Sequence, residues 1–206
     1  CALSCSDPNG HAFTRVTLPF SVETGGRGEL SIANVRVLRR GQPNAVCPNY
    51  RTESVTPSPL LQSWSLDWWM PRHEQKLAAI RAMREAGKNP SVVFIGDSIT
   101  QGWEDAGKAV WAEHYARYDA LDLGFGGDHT ENVLWRLQHG EIDGIAPKVT
   151  VLMIGTNNTG DRQDEPTATA AGIRRLIDGI RMRPPASKIL LLAVFPRGPQ
   201  PDGRGR

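Results

Sequence analysis

Apolar residues change their spacing along the chain. Val16, Leu18, Phe20 and Val22 alternate with other residues at period two, the pattern of a strand with one buried face. Pro19 inside that run fits an edge position. Residues 24–29, TGGRGE, are turn chemistry, and 30–38, LSIANVRVL, read as a second strand. Two strands alone are marginal in water. Residues 1–50 are therefore expected to be a partial β-unit, either the end of a β-sandwich or a hairpin packed on a larger domain.

The pattern then lengthens. Residues 51–64 are polar, carry prolines and read as a linker. A helix is expected over 71–86, with Leu77, Ile80 and Met83 on one face and Gly87 as its C-terminal stop. From Ser91 onward, short apolar runs at 92–95, 120–123, 149–154 and 189–194 alternate with helical patterns. Val110, Trp111, Tyr115 and Tyr118 mark the first helical pattern, Val133, Leu134 and Leu137 the second, and Ile173, Leu176, Ile177 and Ile180 the third. The repeating order of strand and helix means a parallel sheet with helices on both faces. Nearly continuous apolar strands suit a sheet buried on both sides. Trp64, Trp68 and Trp69 are expected to cover the seam between linker and domain.

Composition narrows this picture only a little. The chain has 206 residues and a net charge of +2, which gives no electrostatic footprint for nucleic acid. No stretch approaches the ~20 apolar residues of a membrane span. Three cysteines, Cys1, Cys5 and Cys47, show no metal-ligand spacing. They read as buried or incidental thiols, with a Cys5–Cys47 disulfide as the alternative. Cys1 in first position is open to two readings, the lipid-bearing cysteine of a processed lipoprotein or the cut end of a fragment. No cofactor and no metal site is expected, and oligomeric state is not indicated.

In an open parallel sheet, ligands bind beyond the carboxyl ends of the strands. Three glycine-bearing polar loops fall there: GDSITQG at 96–102, GFGGD at 124–128 and GTNNTG at 155–160. Ser98 can turn its hydroxyl into the crevice while its N–H lies in a first helical turn without an intrahelical partner. Capping a helix is the competing role for Ser98 and for Asp97. Gly127 exposes a backbone amide, although a tight turn capped by Asp128 would explain the same residues. Asn157 offers a side-chain amide, or else an Asx-turn. Together the loops supply one hydroxyl and three donors: the N–H groups of Ser98 and Gly127 and the Asn157 amide. That set is what acyl transfer needs, because a tetrahedral intermediate places negative charge on oxygen.

These blocks resemble the SGNH, or GDSL-type, serine hydrolases, closest to the branch of the platelet-activating-factor acetylhydrolase catalytic subunits. VVFIGDSITQGW, GFGGDHTENVLWRLQHGE and VTVLMIGTNN match the family's first three blocks in order. The resemblance covers about 67–198. It implies a three-layer αβα, flavodoxin-like fold over 65–198, incomplete at its C-terminal side. It also implies Ser98 as nucleophile and Ser98, Gly127 and Asn157 as the oxyanion hole. The substrate is expected to be a small-molecule ester, short-chain or acetyl. A carbohydrate O-acetyl ester is favoured a little over a phospholipid, by analogy between the N-terminal β-unit and modules of secreted carbohydrate-active enzymes, and export is favoured over a cytoplasmic setting.

One block is missing. The family's closing Asp-x-x-His, which supplies the base and its orienting acid, does not occur in this sequence. The expectation is therefore a truncated chain with impaired activity, ending in a disordered tail at 199–206. Of the other histidines, His129 lies nearest the site but is expected to face solvent in a first helical turn, and His73 to pack within the fold. Asp97 and Asp128 read as caps beside the site. The alternative is a non-catalytic module that holds an anion or a sugar in the same crevice.

Overall fold

The computed structural model describes residues 53–195, which belong to the second of two units, Thr52–Arg206. The expected strands before residue 50, the cysteines and the expected tail lie outside the described residues. The helix α1 (Trp69–Glu85) leads into β1 (Val92–Gly96), the short α2 (Ser98–Gln101) and α3 (Lys108–His114). Then come β2 (Leu121–Gly124), α4 (Thr130–Gln138), β3 (Val149–Met153), α5 (Thr156–Gly160), α6 (Pro166–Met182) and β4 (Lys188–Leu191).

All four strands run parallel in the order β2-β1-β3-β4. The chain leaves β1 to one side and returns to its other side, so the switch point falls between β1 and β3. Period-two alternation sorts the strand residues. Val93, Ile95, Leu123 and Leu152 enter a core with Ile80 of α1, Val133, Leu134 and Leu137 of α4, and Leu176 and Ile180 of α6. On the other face Phe94 meets Trp111 and Tyr115 at centroid distances of 5.1 and 5.0 Å. The expected α/β architecture with a parallel sheet is the observed one.

Differences lie at the ends of elements. Helix α1 begins at Trp69, so Pro71 falls within its first turn, where its missing N–H costs nothing. It ends where Lys88 N–H reaches the Met83 carbonyl at 2.8 Å around Gly87, whose φ is +67°. Strand β4 stops at Leu191, short of the expected 194. Among the described residues it pairs only with β3, and Leu190 and Leu191 are half exposed.

Residues 53–64, expected as linker, are tied to the sheet domain instead. Thr130 Oγ1 donates to the Ser54 carbonyl at 2.8 Å, Asn132 Nδ2 to the Ser58 carbonyl at 3.0 Å, and Arg175 to the Val55 carbonyl at 2.7 Å. Leu60 is buried with Trp69 and Phe125. Polar, proline-bearing composition made this stretch look like a spacer. Its backbone carbonyls hold it down, together with Leu60 and with Ser54, whose Oγ donates to Asp164 Oδ2 at 2.9 Å.

Candidate active site

Parallel pairing sets Gly96 opposite both Gly124 and Met153, so the three glycine-bearing loops leave adjacent strands at one level. Ser98 follows at the first position of α2 and is exposed. The cap of α2 is Asp97, whose Oδ1 accepts from Ile99 N–H at 3.0 Å. Capping is thus the role of Asp97, as expected, and the Ser98 hydroxyl is not used for it.

Hydrogen bonds lock the second loop to the first. Phe125 N–H donates to the Gly96 carbonyl at 3.1 Å, and Gly126 N–H to Gln101 Oε1 at 2.7 Å. Gly124 allows this closeness: a Cβ there would stand 2.1 Å from the backbone nitrogen of Gln101. At Gly127, φ is +76°, and a Cβ would stand 2.3 Å from Cη2 of Trp64. That position therefore requires glycine both for its backbone and for the indole lying on it. The third loop is locked to the second through Asn157, which is buried and donates Nδ2 to the Asp128 carbonyl at 2.8 Å. An Asn amide has two N–H donors, and this bond uses one of them. Asn157 therefore reaches across to the neighbouring loop and does not fold back on its own. Ser98, Gly127 and Asn157 lie on three loops tied to one another in this way.

Beneath the loops sits Arg136, with no exposure. Its Nε donates to Asp128 Oδ2 at 2.9 Å, and Nη1 pairs with Glu141 Oε1. Nη1 also reaches the Leu123 carbonyl and Nη2 the Gly96 carbonyl, each at 3.3 Å. The guanidinium covers the Phe125 ring at 3.9 Å. One cation thus touches the ends of β1 and β2 and the acid whose backbone holds Asn157. Trp69 Nε1 donates 2.6 Å to the other oxygen of Asp128. Asp128 is therefore not the turn cap expected from sequence. Its partner lies eight residues further on, along the buried face of α4.

Burial pushes the Asp128 carboxyl up to about 7, against the pull of Arg136. Burial raises Glu141 as well, with Arg136 again opposing. Burial also disfavours the Arg136 charge, but Glu141 and Asp128 outweigh it and raise that group. The cation is the fixed member of the triad.

His129 departs from expectation. It is 4% exposed, not solvent-facing, and caps α4 while its backbone N–H donates to Asn132 Oδ1 at 2.8 Å. Its Nε2 lies 4.0 Å from Asp161 Oδ2. Burial lowers its pKa, with Glu131 opposing. The reason is the packing of the start of α4 under the third loop, where Asn158 accepts from Thr130 N–H at 3.0 Å and donates to Asp164 Oδ2 at 3.1 Å. His73 packs as expected, stacked 6.3 Å from Trp69 and edge-on 5.2 Å from Trp135. His114 is on α3, and His139 stacks on Trp135 at 3.7 Å. No described residue is hydrogen-bonded to Ser98 Oγ. Among the described residues, no group of three or more His, Cys, Asp or Glu side chains is placed to hold a metal ion, and no helix is long and apolar enough to cross a membrane.

The model of the GDSL-like lipase/acylhydrolase family matches residues 94–206, more than half of the chain. The chain belongs to that family. The match includes all three loops. Platelet-activating factor acetylhydrolase IB subunit alpha2 of Homo sapiens is 38% identical over 136 residues, 66% of this GDSL-like chain and 55% of that protein. Subunit alpha1 of Bos taurus is 37% identical over 134 residues, 65% and 53% of the two chains. The chain thus spans about half the length of the curated relatives it matches. A solved structure described as a platelet activating factor from Streptococcus pneumonia shares the fold at TM-score 0.50 and 22% identity, covering 64% of this chain and 59% of that one.

Sequence reasoning missed several residues that build this candidate site: Arg136, Trp69, Gln101 and Asn158. One signal was available for Arg136. It stands three residues after Val133 and one before Leu137, on the apolar stripe of α4, where an unpaired charge is not tolerated.

Proposed function

We propose that this protein is a serine esterase in which Ser98 attacks short acyl esters, with acetyl esters of carbohydrates as the preferred class. Ser98 Oγ bonds to the ester carbonyl carbon and gives its proton to a base. The carbonyl oxygen becomes an oxyanion held by the N–H groups of Ser98 and Gly127 and the second N–H of Asn157. Collapse breaks the carbon–oxygen bond to the alcohol, which leaves with a proton. Water then releases the acid and restores the serine.

The observation that carries this reading is the interlocking of three loops at one sheet edge: Gln101 with Gly126, and Asn157 with the Asp128 carbonyl. Donors fixed before the reaction need no reorganisation as charge develops, and each is worth about 2.7–4 kcal/mol of barrier. Membership of the GDSL-like family and the acetylhydrolase names of the relatives support the reaction class.

The base is the open part. The sequence contains no Asp-x-x-His, and a serine hydroxyl is a poor nucleophile without one. Turnover of p-nitrophenyl acetate by these 206 residues alone is therefore expected to be slow. Acylation is the better test. The chain is incubated with a fluorophosphonate or p-nitrophenyl acetate, with and without imidazole as an external base, and weighed intact. A single adduct at Ser98, accelerated by imidazole and lost in Ser98→Ala, is expected. Equal modification of Ser98→Ala and the parent chain would remove the esterase reading. Saturable sugar or phosphate binding without any Ser98 adduct would favour the non-catalytic module.

A further inference from the structure

Trp64 is 54% exposed although it lies against the Cα of Gly127. About half of the residue is therefore open to solvent, next to the loop where an oxyanion held by Gly127 would bring the rest of its substrate. The ring is fixed from behind. Trp68 stacks on it at a centroid distance of 6.0 Å with 29° between planes, and Trp68 Nε1 donates to the Trp64 carbonyl at 3.1 Å. A Cβ on Gly126 would stand 3.5 Å from Trp68, so both indoles lie along the second loop. That loop is pinned in turn by Gln101. Trp69, expected with them to cover a seam between linker and domain, is fully buried beside Leu60 and Phe125, whereas Trp64 stays half exposed.

We propose that the half-exposed indole of Trp64 is a stacking platform for a pyranose ring, and that it reads the alcohol half of an acetylated carbohydrate. This deepens the esterase reading and rests on it for the position of the acetyl group. A pyranose has a flat C–H face that packs on an indole and equatorial hydroxyls that stay in water or meet polar groups at the rim. Trp64 has the matching form: flat, aromatic, partly open and braced by Trp68, with the Gln101 amide on the neighbouring Gly126. A hydrocarbon chain is better served by an enclosed groove that removes all of its surface from water. Leu61 and Leu66, 69% and 55% exposed in the same segment, make a lipid surface the rival occupant.

The test is binding, so that it does not depend on turnover. Unacetylated xylotriose and cellotriose are titrated into the chain while the Trp64 indole N–H signal is followed by NMR, with Kd from calorimetry. Saturable millimolar or tighter binding of at least one sugar is expected, with the Trp64 signal shifted. Trp64→Ala is expected to weaken it at least tenfold. Trp64→Leu, which keeps apolar bulk over Gly127, is expected to weaken it as much, with a cooperative thermal transition retained. Three results would overturn the proposal: no binding, binding unchanged in Trp64→Leu, or Trp64-dependent sedimentation with phosphatidylcholine vesicles in place of sugar binding. The Ser98 adduct is scored separately on the parent chain. Sugar binding without an adduct removes the esterase chemistry and keeps the platform. An adduct without sugar binding does the reverse.

Discussion

Replacing Arg136 by methionine tests whether one buried cation holds the three loops together. Methionine fills much of the same volume without charge. The change leaves Asp128 and Glu141 without their shared cation in a site closed to bulk solvent, since both side chains are at most 1% exposed. It also removes the donors to the Leu123 and Gly96 carbonyls. Breaking a buried pair by removing one partner costs about 3–5 kcal/mol. Asp128 keeps the Trp69 N–H, and both acids can take up protons, which argues for the lower part of that range. With a urea slope of about 2 kcal/mol per molar, the unfolding midpoint of Arg136→Met should fall by roughly 1.5–2 M. The triple variant Arg136→Met, Asp128→Asn, Glu141→Gln should recover more than half of the loss, because the penalty belongs to the stranded acids. Arg136→Lys keeps the charge but loses the fork, and should slow Ser98 acylation while remaining folded. A single variant within 1 kcal/mol of the parent chain, or a triple variant no better than the single one, would refute the clamp.

Asn157→Ala should lower the rate of the Ser98 adduct about a hundredfold or more, the usual result of losing an oxyanion donor, and intact mass against time measures it. Gly127→Ala should destabilise the chain by about 1–2 kcal/mol for its backbone alone, with a further loss from the Trp64 clash, read from urea unfolding. His73 gives a pH prediction. Burial, with the nearby Arg136 charge, lowers its pKa to about 4 from 6.5. The unfolded chain therefore binds more protons between these values, so this group's contribution to stability is present above pH 6.5 and is lost as pH falls towards 4. Asp122 and Asp128, raised to about 6 and 7, slope the other way over part of that range. The comparison is consequently between the parent chain and His73→Phe. The variant should lose less stability than the parent on acidification from pH 6.5 to 4. Parallel curves would show that His73 is not held neutral.

The layered fold was legible because its causes are local. Period-two apolar runs and helical stripes each report the face that one element buries, and the strands at β1, β2 and β3 fall within a residue of where the pattern puts them. Strand β4 was read too long because an apolar run of six carries no mark of where its pairing stops. Residues 53–64 were misread for a different reason. Their attachment depends on carbonyl acceptors, which every residue has, and on donors from α4 and α6 more than 70 positions away.

The site divides along the same line. Ser98, Gly127 and Asn157 could be singled out because each stands in a polar, glycine-bearing loop just behind an apolar strand, and because the blocks around them resemble those of a known family. What sets them relative to one another could not be read that way. Asp128 looks like a cap and Trp69 like a seam residue, as long as each is judged by its neighbours in sequence, and the place of Arg136 on an apolar stripe says only that it needs a partner, not which one. Their meaning lies in three contacts across 59, 8 and 5 positions, from Trp69 to Asp128, from Asp128 to Arg136 and from Arg136 to Glu141. Burial makes those contacts obligatory, since none of these groups could stand without any partner at acceptable cost. The same obligation gives the site its rigidity. Asn157 bonds to a carbonyl whose own residue is clamped by Arg136, so an error in that clamp would reach the third loop through a single hydrogen bond.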